Sequence, residues 1–92
     1  MENPIARRCT VSGRVQGVFY RGATQQRAQM LGVHGWVRNS PGGEVEVYAC
    51  GDAAQVEALI AWLLQGPPRA QVVDITIEEV PVEPVTEFAV LR

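Results

Sequence analysis

Nine residues, Gly13-Arg14-Val15-Gln16-Gly17-Val18-Phe19-Tyr20-Arg21, join a strand-like run to a helix-like run through two glycines and end on an arginine. Glycines let successive backbone N–H groups converge without a Cβ in the way, and the helix that follows adds unpaired N–H groups and a positive dipole end. Together these features make an anion cradle. A guanidinium at the mouth of the helix can grip two phosphate oxygens at once, which makes Arg21 the candidate side-chain ligand. No Lys-Ser/Thr pair follows the second glycine, so this is not a Walker A element, and the glycine spacing is not a dinucleotide fingerprint. Such a cradle needs no metal.

Other residues capable of chemistry are sparse. His34 is the single histidine, and strand parity places it with Trp36 and Arg38 on an outward face. Two cysteines, Cys9 and Cys50, are too few for a disulfide scaffold or an iron–sulfur cluster and lack paired metal-ligand spacing. The acidic residues Glu78, Glu79, Glu83 and Glu87 read as a solvated face. Trp36 and Trp62 read as packing residues. Asn39 stands at the entrance to a turn, where asparagine is common.

The elements that must position these residues follow from periodicity. Arg7 to Ser12 alternates as a strand with Cys9 and Val11 on one face, and Tyr20 to Leu31 turns helical, with Gly32 as its stop. Val33 to Asn39 and Glu44 to Ala49 form a hairpin around Ser40-Pro41-Gly42-Gly43. Asp52, with Gln55 at the capping-box position, predicts the start of a second helix whose stripe is Val56, Leu59, Ile60 and Leu63, ended by Gly66-Pro67-Pro68. Val73, Ile75 and Ile77 alternate with Asp74, Thr76 and Glu78 in a fourth strand, and Phe88 to Leu91 reads as a short closing strand. Each strand shows one apolar face, so both helices must cover the same side of an antiparallel sheet. The expected class is α+β, a ferredoxin-like split βαβ sandwich. Parity puts Cys9 on the helix side and Cys50 on the open side, which makes a disulfide between them geometrically implausible.

Ninety-two residues, 47% hydrophobic and 20% charged, suit one domain spanning residues 1–92. All eight basic residues are arginines, yet the formal net charge is -2, a balance that argues against nucleic acid as partner. Arg7, Arg8, Arg14, Arg21 and Arg27 cluster early and could form a basic mouth on an acidic body. The chain shows no signal-peptide pattern and no apolar run approaching the roughly 20 residues of a membrane span, so a cytoplasmic monomer is expected. Stacking aromatics for an RNA-recognition module are lacking on the first strand, with only Tyr48 on the third. A non-catalytic small-ligand or anion-binding regulatory domain on the same fold remains the alternative.

The nine-residue loop, together with Gly35-Trp36-Val37-Arg38-Asn39 and the following Gly43-x-Val45, resembles the two signature motifs of the acylphosphatases, in order and at the family's spacing. The resemblance extends over nearly the whole chain. It implies hydrolysis of small-molecule acyl phosphates to a carboxylate and inorganic phosphate, with no metal or cofactor. By the same resemblance Arg21 is the phosphate-binding arginine, Asn39 the water-positioning asparagine, and the backbone of Gln16, Gly17, Val18, Phe19 and Tyr20 the cradle. The family more often has Phe where this chain has Tyr20, a change that keeps the ring and adds a hydroxyl.

Overall fold

The computed structural model describes residues 3–91. In chain order the elements are β1 (Ile5–Arg14), α1 (Tyr20–Leu31), β2 (His34–Asn39), β3 (Val45–Gly51), α2 (Ala53–Gln65), β4 (Gln71–Glu79) and β5 (Phe88–Val90). They form one five-stranded sheet in the order β4-β1-β3-β2-β5. Among the described residues no helix is long and apolar enough to cross a membrane.

Both helices cover one sheet face. Ala28 of α1 and Val56, Leu59 and Leu63 of α2 join Cys9, Val11, Val37, Val45 and Val47 of the sheet in a single buried core. Ile60, expected on the same stripe, packs at the margin of that core. Ala6, Tyr48 and Cys50 form a separate cluster on the opposite face. The two cysteines therefore lie on opposite sides of the sheet and are both free, as parity requires. Burial pushes the Cys9 thiol up to about 11, which keeps it protonated at neutral pH.

The sheet is mixed rather than antiparallel throughout. β1 pairs antiparallel with β3 and β4, and β2 with β3, whereas β5 runs parallel to β2. The chain reaches β5 after crossing the open face, where the Tyr48 hydroxyl donates to the Pro81 carbonyl (3.0 Å) and accepts from the Glu83 N–H (2.8 Å). That crossing brings β5 to the β2 edge from the end that makes it parallel.

Two local expectations fail for identifiable reasons. The alternation of Val73, Ile75 and Ile77 breaks at a bulge: Ser12 opposes Asp74 but Gly13 opposes Val72, which leaves Val73 with no partner across the strand. Val73 is consequently 80% exposed while Val72 packs against the core. Gly13 permits this approach, since a Cβ there would lie 2.2 Å from the Gln71 carbonyl oxygen. At α2, Asp52 occupies the N-cap position, but its side chain makes no capping hydrogen bond, so the box with Gln55 is not formed. The helix begins instead on the Val56 N–H bond to the Asp52 carbonyl (2.9 Å).

Candidate active site

β1 leads into the loop through Val15, which is buried and anchors the turn from below. Gly17 then takes φ 76 and Phe19 φ 62, both in the left-handed region, and α1 begins at Tyr20. This sequence of turns is how a loop aims consecutive N–H groups at one point. Gly17, Phe19, Tyr20, Arg21 and Asn39 all border one cavity of about 280 Å³, and Val15, Gly22 and Val90 complete its wall. Arg21 lies in the first turn of α1, and Asn39 is the last residue of β2. Residues separated by eighteen positions thus meet because α1 packs across β2.

The polar groups of the wall are few. One Arg21 Nη1–H donates to the Leu91 carbonyl (3.0 Å), and the rest of its five-donor fork makes no hydrogen bond among the described residues. Asn39 Oδ1 is buried and has no hydrogen-bond partner among the described residues. A buried amide oxygen without a partner is rare, because desolvating an acceptor costs about 1–3 kcal/mol when nothing replaces water. Tyr20 is buried too, and its hydroxyl donates to the Leu63 carbonyl rather than to the cavity. Burial pushes that phenol well above its ordinary value, so it stays protonated. Among the described residues no His, Asp or Glu borders the cavity. His34 stands at the other end of β2, opposite Cys50 and roughly 17 Å along the strand from Asn39 at about 3.4 Å per residue.

Two of the predicted cradle residues do not reach the cavity with their side chains. Val18 packs against the core. Gln16 turns its amide away and donates from Nε2 to the carbonyls of Ser40 and Glu44, each at 2.9 Å, which ties the loop to the hairpin that carries Asn39. Only the backbone of Gln16 was expected to matter. Val90 and Leu91 also come to the site from the chain's far end, and the closing strand's sequence held no sign of where it would dock. Among the described residues no group of three or more His, Cys, Asp or Glu is placed to share a metal ion.

Fold and site together define a ferredoxin-like α+β domain with a small cavity at a glycine-turned strand-to-helix junction. The acylphosphatase family model matches residues 7–90, and the chain belongs to that family. It is 53% identical over 83 residues to the acylphosphatase of Methylococcus capsulatus, covering 89% of this chain and 90% of the relative. The structure of an acylphosphatase from Coxiella burnetii superposes with a TM-score of 0.94 at 41% identity, covering 98% of this chain and 95% of that one. Acylphosphatase from Bacillus subtilis superposes with a TM-score of 0.93 at 31% identity, over 96% of this chain and 99% of the other.

Proposed function

We propose that the chain hydrolyses the carboxyl–phosphate bond of acyl phosphates, with the phosphoryl group held by the loop amides and Arg21 and the attacking water held by Asn39. The supporting observation is that Arg21 and Asn39, the one with a guanidinium fork and the other with a buried amide oxygen that has no partner among the described residues, border the same small cavity. An acyl phosphate is a mixed anhydride whose leaving group is already a stable carboxylate. Neither a general acid nor a Lewis acid has to expel it, so the same reading includes no metal, and it takes the enzyme as a cytoplasmic monomer.

The chemistry then reduces to position and charge. Phosphoryl transfer passes through a loose transition state whose equatorial oxygens need donors, and the converging N–H groups and the guanidinium supply them. The Asn39 side chain holds the water through its amide and turns the water's lone pair toward phosphorus. As the new P–O bond forms, the bond to the acyl oxygen breaks and its electron pair leaves on the carboxylate. An asparagine amide is no base, and among the described residues the wall offers no carboxylate or imidazole, so in this reading the water's proton passes to a phosphoryl oxygen of the substrate.

Substitution separates the two roles. Asn39→Ala should lower kcat at least about 10²-fold, the penalty of a misplaced nucleophile, while the inhibition constant for inorganic phosphate stays within about threefold. Arg21→Lys should lower kcat/KM by at least about 10²-fold and weaken phosphate inhibition, because a single ammonium cannot reproduce the two-pronged contact. An alanine variant that keeps its kcat and loses only phosphate affinity would make Asn39 a phosphate ligand instead. An inactive wild type on every acyl phosphate would leave a non-catalytic anion-binding domain.

A further inference from the structure

A groove of about 700 Å³ opens between α1 and α2, and Phe19 borders both this groove and the 280 Å³ cavity. That ring is 64% exposed, so no demand of core packing explains it. Its backbone stands at φ 62, a region a bulky side chain enters only where the surrounding structure imposes it. It also lies folded back on the first turn of α1. A Cβ added at Gly22 would fall 2.3 Å from Phe19 Cε1, so the glycine keeps the space the ring occupies.

The reaction gives the groove a direction. In-line displacement sets the water and the leaving oxygen on opposite sides of phosphorus. Asn39 belongs to the sheet, so a substrate attacked from its side points its acyl group toward the helix layer, where Phe19 forms the wall. Beyond Phe19 the groove follows one side of α1 past Ala23, Gln26 and Met30, at helical spacings of three and four, with Trp62 and Pro68 across from them. Met30 is 77% exposed at the far end. The smaller cavity suits a phosphoryl group, whereas a groove of about 700 Å³ is of the size that takes the body of a small molecule.

We propose that the α1–α2 groove is the acyl subsite, with Phe19 as the turning point between the two compartments, and that it selects acyl phosphates bearing an aromatic or medium-chain aliphatic group. The inference rests on the reading of the phosphate cavity given above. Acetyl, benzoyl and octanoyl phosphate share one reacting group and carry the same charge, so their relative kcat/KM values report on the acyl part. For the wild type, kcat/KM should rise at least about tenfold from acetyl to benzoyl phosphate, with octanoyl no lower than benzoyl. Phe19→Asn, which tolerates the left-handed backbone, should cut both ratios to acetyl phosphate by about fivefold or more. Met30→Asp should cut the octanoyl ratio alone and keep the acetyl rate within about threefold, which also reports that the variant is folded. Equal rates on all three substrates, or ratios unmoved in both variants, would overturn the subsite and leave the catalytic reading intact. Hydrolysis of none of the three would overturn the catalytic reading itself and the subsite with it.

Discussion

Leu63 lies in the last turn of α2, four residues before Pro67, so its carbonyl faces a residue with no N–H to offer. The Tyr20 hydroxyl fills that vacancy in the ladder from the first residue of α1. A phenylalanine there would pack the same ring against Trp62, now 6.0 Å away between centroids, but would leave a buried acceptor unsatisfied. Tyr20→Phe should therefore lower the unfolding free energy by about 1–3 kcal/mol, read as a drop in the urea midpoint at unchanged slope, with kcat within about threefold of wild type. An unchanged midpoint would mean that water reaches the Leu63 carbonyl. The packed ring and its additional hydroxyl were legible in the sequence. The partner was not, because it stands 43 positions along the chain and is defined by a helix end in space.

At the scale of elements, the three central strands are also joined through one side chain on the open face. Glu46 of β3 accepts from Arg8 of β1 at 2.6 Å and from Arg38 of β2 at 2.8 Å. The hydrogen bond from Arg8, helped by Arg38 and opposed by burial, holds the Glu46 carboxyl below its ordinary 4.5. A carboxyl lowered on folding adds stability that is fully present above its unfolded value and is lost as pH falls through the folded one. Both arginines are more than a third exposed, so the contribution is screened and small. Glu46→Gln should cost about 0.5–1 kcal/mol at neutral pH, and the gap from wild type should close as the pH is lowered from neutral to well below 4.5. Urea midpoints at both ends of that range check this, and a gap that persists in acid would assign the effect to packing. The strands and helices themselves were legible from period and punctuation, since α1 runs from Tyr20 to Leu31 and ends at Gly32 as the pattern predicts. Alternation misplaced Val73 because a bulge shifts parity by one, and the bulge depends on how β1 and β4 meet.

On the scale of the whole molecule, β5 and the residue after it reach the site from the far edge of the sheet. The Leu91 N–H donates to Val37 of β2 (2.8 Å), two residues before Asn39, while the Leu91 carbonyl accepts from Arg21 (3.0 Å). One residue thus links the strand that presents the asparagine to the helix that presents the arginine. Gln25 adds a second tie from α1 to β5 through the Phe88 carbonyl (3.0 Å). Both motifs were visible as sequence, but this bridge was not, since it depends on β5 docking parallel to β2 across about 50 residues of intervening chain. It follows that phosphate should stabilise more than the loop. A ligand at 100 times its Kd adds about 2.7 kcal/mol to unfolding if it binds only the folded state. Part of that should be felt in β5, because Arg21 can keep one N–H on Leu91 while its remaining donors take phosphate oxygens. Amide exchange at Leu91 should slow by about tenfold or more with saturating phosphate, and much of that slowing should vanish in Arg21→Lys even where phosphate is raised to restore occupancy. If exchange at Leu91 instead accelerates on binding, the arginine must release the closing strand in order to grip its ligand, and β5 would hold Arg21 ready only in the free enzyme.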